Sequence, residues 1–126
     1  MTLTKRSIGL VLTVVLFSPL LLAVSGDKGE RVKQVDSKYV CMITKKHFTS
    51  EQTSVNVEGR TYYACCEMCK TQLTEDPSTR TDVDPVSGNK VDKATAVVGV
   101  DKAGNAYFFE NVQNLERFRV PAKPQK

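Results

Sequence analysis

The chain has 126 residues, 25% of them charged and 40% hydrophobic, with a net charge of +4, four cysteines, one histidine and no tryptophan. That length allows one compact domain or two very small units with a modest core, and so even a balance of charge is not that of a nucleic-acid binder. Cys41 stands alone and Cys65, Cys66 and Cys69 stand together, so the chemistry of this chain is expected to be done by sulfur.

Residues 1–25 read as a signal peptide. Lys5 and Arg6 form a basic start, Ile8 to Val24 is uncharged and apolar apart from the break at Pro19, and Ala23-Val24-Ser25 supplies the small residues of a cleavage site. Export to a periplasm or the cell exterior is the expectation. An uncleaved N-terminal membrane anchor is the alternative, because the apolar stretch approaches the lower limit of a spanning helix. Lys5 and Arg6 would leave with the segment, so the mature chain has 101 residues and a charge of +2. Residues 26–38 are charged and are expected to be a flexible lead-in.

Further on, Thr53 to Val57 reads as a strand, Glu58-Gly59 as a hairpin turn and Arg60 to Ala64 as an aromatic return strand. Cys66 to Glu75 reads as a short helix that Pro77 stops, followed by a polar connection from Asp76 to Thr81. Asp82 and Asp84 read as caps of the linker before Pro85. Ala94 to Val100 is a second β segment, Asp101-Lys102-Ala103-Gly104 its turn, and Ala106 to Phe109 its aromatic partner. Asn111 is a good N-cap for a helix over Val112 to Arg119, Pro121 closes it, and residues 121–126 form a basic tail. Tyr62, Tyr63, Tyr107, Phe108 and Phe109 are expected to be core residues of strands rather than a base-stacking surface.

A shift of 45 residues lays Gly59 to Ala64 on Gly104 to Phe109 without a gap, and Leu73 on Phe118. Two units follow, residues 39–76 and 84–120, each reading strand, hairpin, strand, helix. The class is α+β, two tandem β-hairpin-plus-helix copies packed together. At the shifted positions Cys41, Cys65, Cys66 and Cys69 become Val86, Glu110, Asn111 and Asn114. One unit is expected to bind and the other to support it.

The strand ending before Cys65 delivers a sulfur at the mouth of a helix, and Cys69 follows one turn later on nearly the same face, so both can close on one ion. The positive helix end favours thiolate there. Cys41 returns across the hairpin as a third ligand. A zinc-ribbon spacing wants another cysteine three residues after Cys41, where Thr44 stands. Cys66 and His47 are the two candidates for the fourth place. Three thiolates suit Cu(I) at least as well as Zn²⁺, and one ion per chain is expected. Met42 and Met68 offer thioethers or, more simply, fill gaps in a small core. An exported chain also admits disulfides, with a stapled interaction module as the alternative and a Cys66–Cys69 redox pair as a third reading. No nucleophile set or phosphate loop is present, and no enzymatic role is expected.

The segment Cys41 to Leu73, centred on Tyr62-Tyr63-Ala64-Cys65-x3-Cys69, resembles the TRASH and YHS family of small metal-associated modules. Asp84-Pro85-Val86-Ser87-Gly88-Asn89-Lys90 resembles the opening of a YHS module, with Val86 and Ser87 where more sulfur-rich members continue to cysteine. The resemblance covers residues 39 to 119. It implies treble-clef-like or zinc-ribbon-like units linked to metal sensing, trafficking or resistance, and a membrane transporter or an exported metalloprotein as partner. Contact with a membrane would come only through an uncleaved N-terminal segment.

Overall fold

The structure, a computed structural model, describes residues 29–121. The signal segment expected at 1–25, and the basic tail beyond Pro121, lie outside the described residues. The chain opens with β1 (Glu30–Arg31), β2 (Lys33–Val35) and a 3-10 turn (Ser37–Tyr39). Next come β3 (Val40–Cys41), β4 (Lys46–His47), β5 (Thr53–Val57), β6 (Arg60–Ala64) and α1 (Glu67–Glu75). A second 3-10 turn (Pro77–Arg80) leads to β7 (Thr81–Val83), β8 (Lys90–Asp92), β9 (Val97–Val100), β10 (Ala106–Phe109), α2 (Val112–Arg117) and β11 (Arg119–Val120). The fold is α+β, built from small antiparallel sheets: β10-β9-β2, and the pairs β1-β11, β3-β4, β5-β6 and β7-β8.

Local chemistry accounts for most boundaries. Glu58 and Gly59 both adopt positive φ, 51° and 77°, the two-residue turn whose twist matches that of the strands it joins. Cys66 precedes α1 in extended conformation (φ −156°, ψ 170°), and Asn111 precedes α2 in nearly the same one (φ −156°, ψ 168°). The Asn111 side chain accepts from Asn114 N–H, whereas Cys66 makes no cap hydrogen bond. α2 ends at Arg117, two residues before the sequence suggests, because Phe118 turns extended and Arg119–Val120 pair with β1. β9 begins at Val97 rather than Ala94, since Asp92 draws the chain into a turn: its carboxylate accepts from Ala94 N–H and its carbonyl from Thr95 and Ala96 N–H.

The lead-in differs more from expectation. Most of residues 30–35 are paired rather than loose, Glu30 and Arg31 opposite Val120 and Arg119, and Lys33 to Val35 along β9. Val32 is the reason, since it is buried with Phe109 and Leu115 despite charged neighbours.

The β9-β10 pair is covered on both faces. Val98, Val100, Ala106 and Phe108 share one core with Val40, Cys41, Met42, Val55, Tyr62, Ala64, Cys69 and Leu73, so both halves of the chain enter it. Phe109, on the opposite face, packs with Val32 and Leu115, and with Val97, Tyr107 and Phe118 around them. Strand alternation makes both faces apolar. The expected core aromatics Tyr62, Phe108 and Phe109 are 2%, 1% and 0% exposed, and Tyr63 and Tyr107 are half-buried at the edges.

Candidate metal centre

β3 and β4 form a tight knuckle in which Lys45 N–H donates to the Cys41 carbonyl at 2.9 Å, with Lys45 left-handed (φ 53°). Met42 N–H then donates to the Tyr63 carbonyl at 3.0 Å, pinning the knuckle against β6 just before Cys65. α1 rises from Cys66 and turns Cys69 inward, where Leu73 anchors it in the core. Two separate stretches of chain thus deliver the sulfurs, the knuckle giving Cys41 and the strand-to-helix junction giving Cys65 and Cys69. The Sγ atoms of Cys41, Cys65 and Cys69 all lie within 4.8 Å of one another, Cys65 and Cys69 at 3.7 Å. Metal–thiolate bonds of about 2.3 Å in tetrahedral array place sulfurs about 3.8 Å apart, so the trio has the size of an ion site.

Of the expected ligands, the structure brings Cys41, Cys65 and Cys69 together. Cys66 flanks them, its Sγ 3.5 Å from that of Cys69. His47 is not brought in. It pairs with Val40 while Cys41 pairs with Lys46, so alternation sends its side chain to the other face of the knuckle. Met42 is fully buried in the core, as a gap-filler is, and Met68 is 71% exposed on the first turn of α1.

All four cysteines are free thiols, Cys41 and Cys69 buried, Cys65 and Cys66 exposed. Burial pushes the Cys41 thiol up, but the Thr44 hydroxyl and the N–H groups of Thr44, Cys65 and Ile43 face its sulfur and together bring it down to about 7. Burial pushes Cys69 up, and the thiols of Cys66, Cys65 and Cys41 push the same way. Cys65 is raised by burial and by the Cys41 thiol, and Cys66 is lowered by the N–H and then the thiol of Cys69. The arrangement favours the thiolate at Cys41 and Cys66 and the thiol at Cys65 and Cys69. Loading an ion must therefore displace protons, which makes affinity rise with pH.

No family model, curated protein or solved structure matches this chain. The geometry alone therefore carries the functional reading.

Two residues of the site lay beyond the sequence reading. Thr44, which stands where a zinc-ribbon spacing wants another cysteine, supplies a hydroxyl to the sulfur of Cys41 instead of a ligand. Lys93 is 5% exposed, and its Nζ donates to the carbonyls of Met42 at 2.7 Å and Thr79 at 2.8 Å. It also lies 5.5 Å over the Phe108 ring. Burial lowers it, while Asp82 raises it, Lys45 lowers it and Cys41 raises it. A lysine in the turn Asp92-Lys93-Ala94 carries no sequence signal of burial. The Thr44 hydroxyl was legible only as a missing cysteine.

Proposed function

We propose that this chain is an exported metal-binding protein that holds one soft ion, Zn²⁺ or Cu(I), on Cys41, Cys65 and Cys69, with Cys66 beside it, and serves metal trafficking, sensing or resistance. The observation that carries the reading is the convergence of those three sulfurs within 4.8 Å, one from the Cys41 knuckle and two from the strand-to-helix stretch 65–69. Thiolate donors select soft or borderline ions over Mg²⁺ or Ca²⁺. The family reading is that of two TRASH/YHS-like, treble-clef-like units, the second without its metal. In its support, Glu110 N–H and the Asn114 side-chain amide, offset by 45 residues from Cys65 and Cys69, both donate to the Asp84 carboxylate at 2.8 Å. On that reading, a hydrogen-bonded cluster would stand in the second unit where the first carries thiols.

Intact mass of the chain purified without added reductant, measured native and then denatured, tests the reading. One metal adduct per chain with four free thiols is expected, and Cys69→Ser is expected to lose stoichiometric binding. Cys65→Ser and Cys69→Ser chains that both kept full stoichiometry and affinity for Zn²⁺ and Cu(I) would refute the site. A mass short by two or four hydrogens with no metal would favour the disulfide-stapled module.

A further inference from the structure

The four sulfurs are not equivalent. Cys41 and Cys69 are 0% and 5% exposed, whereas Cys65 and Cys66 face solvent. Cys66 holds the N-cap position of α1 without capping it, while Asn111 commits its side chain to the cap of α2. Its Sγ nevertheless sits 3.5 Å from that of Cys69, closer than the 3.7 Å between Cys65 and Cys69. An ion held by the trio would thus have a fourth, exposed sulfur beside it, one that makes no cap hydrogen bond to α1.

We propose that Cys66 is the exchange thiol of this centre, the group through which a soft ion passes between the trio of Cys41, Cys65 and Cys69 and a thiolate-bearing carrier. The proposal rests on the metal-binding reading above. In the step, Cys66 gives its thiol proton to water as its sulfur bonds to the ion, and the bond from the ion to Cys41 breaks. Cys41 keeps the electron pair of the broken bond and is left as a thiolate. One metal–sulfur bond forms, one breaks, and the oxidation state of the ion is unchanged. The ion then rests on Cys65, Cys66 and Cys69, nearer solvent, where a thiolate of the carrier displaces these sulfurs in turn.

The experiment loads the full chain anaerobically with one equivalent of Cu(I) and follows transfer to excess bathocuproine disulfonate by absorbance. Cys66→Ser is expected to keep one Cu(I) per chain with affinity within about threefold, and to transfer it at least about tenfold more slowly. Cys66→Asn copies the residue that caps α2, so it is expected to show the same slowing with α1 intact, which separates lost exchange from a frayed helix. Transfer at the unchanged rate in both variants would overturn the proposal. So would loss of stoichiometric binding in either, which would make Cys66 a resident ligand. If the unchanged chain takes up no Cu(I), the metal-binding reading itself fails, and this proposal falls with it.

Discussion

Asp84 has no exposed surface, and each of its carboxylate oxygens is supplied with donors. Oδ1 accepts from the N–H groups of Val86 and Ser87, and Oδ2 from Glu110 N–H and the Asn114 amide. Burial pushes this carboxyl up, but the Asn114 amide and the three backbone donors outweigh it and hold the group below its ordinary value. Folding therefore favours the ionised form. The stability it contributes is present above the unfolded value, about 3.9, and is lost as pH falls through the folded one. Asp84→Asn is expected to cost about 2–3 kcal/mol at neutral pH, because its amide would face donors where the carboxylate accepts. It is also expected to weaken the acid dependence of the urea midpoint, with Asp76 and Asp101, also held low by local donors, keeping the remainder. An unchanged midpoint at neutral pH would remove Asp84 from this role. From sequence, Asp84 read as a cap of the linker before Pro85, whereas Oδ1 caps the turn that runs on through Pro85 to Gly88. What Oδ2 does depends on residues 26 and 30 positions away, which no local pattern encodes.

The same divide between local and distant causes holds for whole elements. The β5-β6 hairpin, its Glu58-Gly59 turn and both helix starts were legible because turn and cap chemistry act within a few residues. β1, β2 and β11 were not, because each is stabilised by a partner far along the chain: β2 adds to β9, and β1 meets β11. Gly99 makes that addition possible. A Cβ there would lie 2.8 Å from Val32 Cγ2 and 3.1 Å from both Leu115 Cδ1 and Phe109 Cε2, so the lead-in, α2 and β10 all close on the space a side chain would fill. Gly99 sits opposite Gln34 and Tyr107 in the three-stranded sheet, and displacing any of these neighbours would disturb its register. Gly99→Ala is expected to destabilise the chain by about 1–3 kcal/mol through overpacking, read from the denaturant midpoint. Faster amide exchange confined to residues 30–35 and α2 would locate the strain there, and exchange unchanged in both segments would show that the packing yields without cost.

At the scale of the whole molecule, the thiol centre belongs to one half of the chain but is held in place by the other. Lys93 fixes the carbonyl of Met42, and the Gly104 carbonyl accepts from His47 N–H at 2.9 Å. Ala106 N–H donates to the Lys45 carbonyl at 2.9 Å, and Lys45 Nζ pairs with Asp82 at 2.7 Å. Each of these contacts bears on the knuckle that carries Cys41. Tyr62, from the strand leading to Cys65, donates to Asp92 at 3.0 Å, and Arg60 forms an ion pair with the same carboxylate. Val91, Val98, Val100, Ala106 and Phe108 complete the core in which Cys41, Cys69 and Leu73 are buried. A chain ending at Arg80 would lose all of these at once and expose the inner faces of β5, β6 and α1 to water. A hairpin and one short helix cannot make up such a loss, since a small unit buries too little surface without a partner. Metal would add a cross-link between knuckle and helix but would not restore the missing apolar contacts. The metal-loaded fragment 27–80 is therefore expected to be poorly folded or to self-associate through its uncovered face, as read by amide dispersion and sedimentation. A monomeric fragment with a sharply dispersed amide spectrum would show that the cysteine-bearing half folds alone, and would recast the second half as a separate unit rather than the support of the first.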